Sequence, residues 1–183
     1  FHGTSAGVQE QSDLFREIAA EFGAQDWRDA ATTEARNALW KMRHAGHYAN
    51  AALAPGLRSF ATDVCVPISR LAEAVVMAQE ETRKQGIIST IVGHVGDGNF
   101  HCGIRFDPDN AEELAKVHAF SGLLAETALR LGGTVTGEHG IGLGKVKYMN
   151  AEHGPALAYM RAVKTAFDPQ GILNPGKLLP PGN

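Results

Sequence analysis

The run Gly93-His94-Val95-Gly96-Asp97-Gly98-Asn99-Phe100-His101 sets two imidazoles on either side of an Asp-Gly pair. Asp-Gly between apolar segments is a strong hairpin signal, because both turn positions need positive φ. With Asp97-Gly98 as the loop, Gly96 stands opposite Asn99, Val95 opposite Phe100 and His94 opposite His101. Directly opposed residues share a face, with Cβ atoms roughly 5 Å apart. Two imidazoles at that spacing can converge on one ion at metal–nitrogen distances of about 2.1 Å. A stacked, solvent-facing histidine pair is the plainer reading of the same pattern.

Gly137-Glu138-His139-Gly140 is the second chemical patch. Glycines let main chain approach a site closely and leave neighbouring side chains exposed. Glu138 can add a carboxylate to His94 and His101, giving a His-His-Glu set with open coordination positions. Such ligands suit zinc, manganese or ferrous iron. Strict strand alternation turns His139 to the face opposite Glu138, so both serve one site only if the glycines break the strand. A neutral imidazole beside a metal-bound hydroxyl is a suitable general base.

Arg36 and Arg43 lie seven apart on the Trp40 face of a helix. They can fork onto a carboxylate, and a solvated helix face explains the same spacing. His44 and His47 follow a helix end, where positive charge is favourable. His118 and His153 read as surface or capping residues. Cys102, alternating away from His101, and Cys65, between Val64 and Val66, both read as core.

Periodicity supplies the elements that must position these groups. Helices are predicted over Val8–Phe22, ending at Gly23, and over Trp27–Arg43. Phe60–Val66 is a strand stopped by Pro67. Ser69 caps a helix that closes near Gly86. Ile87–Val95 and Asn99–Phe106 are strands, and Asp109 or Asn110 caps a long helix through Leu131. Thr134–Glu138 is a short strand. Pro155 opens a last helix with Leu157, Met160, Val163 and Phe167 inward. This order predicts an α+β fold, an antiparallel sheet with helices on one face in a split βαβ, ferredoxin-like arrangement.

With 44% hydrophobic and 20% charged residues over 183, the chain can bury a sizeable core. A net charge of −3 excludes a bulk basic footprint for nucleic acid. No apolar run reaches the length of a membrane span. Two cysteines make no disulfide framework, which favours a reducing compartment. Gly140-Ile141-Gly142-Leu143-Gly144-Lys145 lacks the sixth-position glycine of a dinucleotide loop, and Val146 rules out a P-loop. The opening Phe1-His2-Gly3, without an initiator Met, reads as a start inside a longer polypeptide. Asp168 to Gly176 reads as an ordered, irregular tail. The residues themselves leave a metal hydrolase and a non-catalytic binding subunit open.

The paired GHVGDGNFH and GEHGIGLGK stretches resemble the C-terminal part of the FAD-linked 2-hydroxyacid dehydrogenases with a vanillyl-alcohol-oxidase type of FAD domain. Leu39-Trp40-Lys41-Met42-Arg43, Thr62-Asp63-Val64-Cys65-Val66-Pro67 and Asp168 to Lys177 extend the resemblance almost end to end, closest to the cytochrome-type members that oxidise D-lactate. It implies that His94, His101 and Glu138 ligate a divalent metal, zinc or manganese. His139 is then the base, Arg43 and Asn99 bind substrate, and Asn174 lies near the flavin. It implies FAD bound mainly by a domain absent here, with residues 1–167 as the second half of the substrate (cap) domain and 168–183 as a tail against the FAD domain. The expected partners are a small 2-hydroxy acid and an electron acceptor (a cytochrome, a quinone or an electron-transfer protein), with a homo-oligomer allowed. The expected location is cytoplasmic or peripheral at an inner membrane, mitochondrial in a eukaryote. Glycolate and 2-hydroxyglutarate are the alternative substrates. Relatives acting on the latter carry a lysine where this chain has Ala61, and the fragment alone is expected to be inactive.

Overall fold

The computed structural model describes residues 1–181, the side chain of His47 excepted. It divides into two compact units, Phe1–His47 and Tyr48–Asn183. The first unit carries α1 (Ser5–Glu21) and α2 (Thr33–His44). Both begin at threonine caps that the sequence reading passed over: Thr4 accepts from the Gly7 amide and Thr32 from that of Ala35, each at 3.2 Å. Thr32 therefore starts α2 six residues later than the expected Trp27. The apolar residues Leu14 and Ile18 of α1, and Phe22 just past its end, are exposed.

A short helix α3 (Gly46–Ala52) leads into the second unit, where β1 (Arg58–Ala61), β2 (Val64–Cys65), α4 (Ile68–Gln85), β3 (Ile88–His94), β4 (Asn99–Phe106) and α5 (Ala111–Arg130) follow. All strand pairs are antiparallel about a central β4, with β1 and β2 along one side and β3 along the other. This is the expected α+β architecture, and its strand order matches three strands of a split βαβ unit. The fourth position is reduced to a single bridge, Cys65 with Thr134. α4 does not use Ser69 as its cap: Pro67 stands there without a side-chain bond, and the helix closes on Gly86 at φ 68°. Asn110 caps α5, its Oδ1 accepting from the amides of Glu112 and Glu113.

Alternation along β4 divides the sheet into two chemically distinct faces. Phe100, Cys102, Ile104 and Phe106 point into a core shared with Ala74 and Ala78 of α4 and with Val117, Phe120 and Leu124 of α5. Asn99, His101, Gly103 and Arg105 take the other face. Arg105 closes one end of that face by donating to the carbonyls of Ala54 and Leu57. Burial pushes the Cys102 thiol up to about 11, as befits a core sulfur. Cys65 departs from expectation. It pairs with Asn99 on the polar face, and its Sγ donates to the Asp97 carbonyl at 3.1 Å.

The predicted strand Phe60–Val66 is broken at Thr62-Asp63, although the register is the same on both sides. The Thr62 amide still donates to the Cys102 carbonyl at 3.1 Å, but a side chain accepts the return bond. Thr62 Oγ1 accepts from the Cys102 amide at 2.9 Å, and the Thr62 carbonyl faces His101 Nδ1 at 3.1 Å. Asp63 has no exposed side-chain surface. Its carboxylate accepts from Asn99 Nδ2 at 2.8 Å, Thr136 Oγ1 at 3.0 Å, and the amides of Glu138 at 3.0 Å and His139 at 2.8 Å. The predicted strand Thr134–Glu138 fails for this reason. Past the bridge at Thr134, the Val135 amide donates to Glu152, the Thr136 amide to Thr134 Oγ1 and the Glu138 amide to Asp63, and none to a neighbouring strand.

The last helix also differs. After α6 (Met149–His153), Pro155 lies in a 3₁₀ turn, and α7 runs Leu157–Phe167. Leu157 is buried, but Val163 and Phe167 are exposed at 59% and 83%. The tail folds back onto Asp168, which accepts from the amides of Ile172 and Leu173 and pairs with Lys164.

Burial opposes the charge on Asp63, but the His139 amide, the Asn99 amide group, the Glu138 amide and the Lys145 charge outweigh it and hold the carboxyl far below its ordinary range. A depressed folded value means that the charge stabilises the fold at every pH above the unfolded value of 3.8. That contribution is lost as acid approaches the folded value. Asp63→Ala should cost about 3–5 kcal/mol, because buried donors lose their charged partner. Asp63→Asn should flatten the acid limb of a urea-midpoint profile measured between about pH 3 and about pH 7. An acid limb as steep as wild type would remove Asp63 from this role.

Candidate active site

The loop between β3 and β4 is longer than the Asp-Gly pair alone. A 3₁₀ turn over Val95–Asp97 and Gly98, at φ 76°, make the connection. His94 therefore pairs with Asn99, and His101 pairs with Val92. The expected His94–His101 opposition is out by one pairing step. That step moves each partner by two residues, so side chains keep their face, and the imidazoles become diagonal neighbours with ring centroids 6.0 Å apart.

Glu138 completes the cluster. Its Oε1 lies 3.0 Å from His101 Nε2 and 3.5 Å from His94 Nε2. One ligand atom from each of the three residues falls within 4.8 Å of the others. A tetrahedral ion with bonds of about 2.1 Å separates its ligands by roughly 3.4 Å, so the donor set matches a divalent metal in type and span. His101 Nδ1, held against the Thr62 carbonyl, suits the tautomer whose Nε2 carries the free lone pair. Asp63, His101 and His139 form a second such group. Its carboxylate is already committed to amide and hydroxyl donors, whereas that of Glu138 is half exposed and open.

His139 stacks on His101, with centroids 5.1 Å apart and planes within 9°. Its Nδ1 is 4.0 Å from Asp63 Oδ2. The break in the predicted strand is what lets Glu138 and His139 serve one place. It requires Gly137, since an added Cβ would overlap the Asn99 side chain and come within 2.8 Å of Asp63 Oδ1. Asn99 itself is buried, giving Nδ2 to Asp63 and to the Val64 carbonyl at 2.9 Å, with Oδ1 unpartnered among the described residues.

Two further expected site residues are Arg43 and Asn174. Arg43 belongs to the first unit, its guanidinium over the Trp40 ring at 5.5 Å. Asn174 takes a positive φ of 47° in the tail. It lines an open cavity of about 470 Å³ together with Ile141, Gly142, Phe167 and Lys177. The sequence reading missed Asp63 and Lys145. A charge at the head of the apolar run Val64-Cys65-Val66 was the available signal for Asp63. Burial draws the Lys145 ammonium down, and the neighbouring charge of Asp63 only partly restores it.

Residues 1–178 match the family described as FAD linked oxidases, C-terminal domain. "Probable D-lactate dehydrogenase, mitochondrial" of Danio rerio is 46% identical over 98% of this chain and 36% of its own length. "D-lactate dehydrogenase [cytochrome], mitochondrial" of Arabidopsis thaliana is 41% identical over 99% of this chain and 32% of its own length. "Glycolate oxidase subunit GlcD" of Escherichia coli K12 is 32% identical over 97% and 36%. The chain thus spans about a third of the length of the curated relatives it matches. With nearly every residue inside the match, the protein belongs to the FAD linked oxidase C-terminal domain family.

Proposed function

We propose that this chain supplies the metal and substrate side of an FAD-dependent D-2-hydroxyacid dehydrogenase, with D-lactate oxidised to pyruvate as the preferred reaction. The observation that carries this reading is the convergence of His94, His101 and Glu138 beside the stacked ring of His139. The printed names of the zebrafish and Arabidopsis relatives favour D-lactate as the substrate. In this reading residues 1–167 are the second half of the substrate domain, and 168–183 form a tail toward a flavin domain. Residues 182 and 183 lie outside the described residues.

His94, His101 and Glu138 would hold the divalent ion, zinc or manganese, which supplies Lewis acidity toward the substrate hydroxyl and carboxylate. The flavin supplies the acceptor for the hydride leaving C2. His139 takes the hydroxyl proton, so that the C2–O bond becomes a carbonyl as hydride departs. Arg43 receives the substrate carboxylate through a forked pair of hydrogen bonds. Asn99 stands beside the substrate, and Asn174 faces the flavin from the tail. A cytochrome, a quinone or an electron-transfer protein would reoxidise the cofactor, and the relatives' names favour a mitochondrial location in a eukaryote. Among the described residues no helix is long and apolar enough to cross a membrane.

Anaerobic addition of D-lactate to the complete polypeptide should bleach its flavin, and L-lactate should not. Bleaching by glycolate alone would overturn the choice of D-lactate, and a protein carrying no flavin would overturn the whole reading. His139→Gln should lose rate by about 10²–10⁴-fold while keeping its metal. Arg43→Ala should raise KM about tenfold or more, the loss of charged hydrogen bonds worth about 1.5–3 kcal/mol. An unchanged KM would take Arg43 out of the substrate site.

A further inference from the structure

We propose that Lys145 is a positioning residue for the metal centre, acting through Asp63 on the main chain that presents Glu138 and His139; this rests on the metal reading above. The segment between Thr136 and Lys145 contains neither helix nor strand, and four of its residues are glycines: Gly137, Gly140, Gly142 and Gly144. Such a stretch has little conformational preference of its own. Its shape must come from its tethers.

Those tethers converge on one residue. Thr136 Oγ1 reaches Asp63 Oδ2 at the start, and the amides of Glu138 and His139 reach the same carboxylate in the middle. At the far end Lys145 Nζ donates to the Asp63 carbonyl at 2.6 Å and stands 3.6 Å from Oδ2. The amides of Lys145 and Val146 both return to the Gly142 carbonyl, closing the turn that aims the side chain inward. Among the described residues, Lys145 is the only lysine or arginine within ion-pair distance of Asp63. The hydrogen bonds it donates go to Asp63 and Gly142, its carbonyl accepts from the Tyr148 amide, and among the described residues none joins it to His94, His101 or Glu138.

The ammonium has two tasks at once. Thr62 and Val66 turn their amides toward β4 and Cys65 turns its main chain outward to Thr134, so the Asp63 carbonyl also faces away from β4, and a buried carbonyl needs a donor. The carboxylate draws its other bonds from neutral amides and a hydroxyl, so its charge needs a cation nearby. Lys145 meets both needs and pins the second end of the glycine segment. Without that pin, Glu138 would have to be ordered at the expense of binding free energy when a metal arrives. Lys145 thereby sets metal affinity without touching the metal.

The test is a Co²⁺ titration of the chelator-stripped complete polypeptide, read by its visible ligand-field spectrum, with apo-protein thermal unfolding alongside. Lys145→Met keeps the methylene stem and removes the donor. It should bind Co²⁺ about 10–100-fold more weakly, the usual effect of removing a partner one step from the ligands, and its spectrum should shift. Lys145→Arg, which can serve both Asp63 oxygens, should recover most of that affinity. If the methionine variant does not fold, Lys145→Gln, with a donor but no charge, is read the same way. Equal affinity and an identical spectrum in wild type and the variant that folds would overturn the role of Lys145. Failure of the wild type itself to bind Co²⁺ would overturn the metal reading, and this inference with it.

Discussion

Removing a carboxylate from water is costly unless donors replace the lost hydration. Asp63 makes that demand at the one place where the edge strand of the sheet lets go. Asn99 answers from the central strand, Thr136, Glu138 and His139 from the glycine-rich loop, and Lys145 from the end of that loop. None of these donors is optional once the charge is buried. The loop therefore cannot drift away from the sheet, and Glu138 and His139 are delivered to the histidines of the hairpin by main-chain bonds. A buried charge that would be a liability in an apolar core becomes the device that builds a site from an irregular segment.

The hairpin contributes the complementary constraint. Apolar Phe100, Cys102 and Ile104 must enter the core, so the intervening Asn99 and His101 cannot. A slip of one residue along a strand would exchange the faces and bury the imidazole. A change in loop length that moves the partner by two preserves the face, which is why the longer Val95–Gly98 connection still leaves His94 and His101 on the same side. The chemistry tolerates one error in the register because the packing forbids the other.

Most of what could be read from the chain rested on periodicity and local chemistry. The alternation of β3 and β4, the asparagine cap of α5 and the glycine that ends α4 are short-range signals, and they survive folding. The convergence of His94, His101 and Glu138 was legible for the same reason: types and spacing suggested it even where the exact pairing differed. What could not be read was the competition between local pattern and a distant charge. Phe60–Val66 and Thr134–Glu138 have strand-like sequences, yet both are interrupted by one carboxylate drawing donors from segments more than seventy residues away. Lys145 looked like the failed end of a nucleotide loop because its partner lies eighty-two residues earlier. The apolar residues of α7 showed where hydrophobic surface is, but periodicity carries no information about what covers it, and Val163 and Phe167 lie open in this chain.

The central claim is that hairpin and glycine loop together make one metal centre from two imidazoles and a carboxylate. X-ray absorption at the edge of the metal bound to the complete polypeptide reads that ligand set directly. The account predicts the multiple-scattering signature of two imidazoles at about 2.0–2.1 Å, falling to one in His94→Gln. A first shell without imidazole, or one that His94→Gln leaves unchanged, would contradict it.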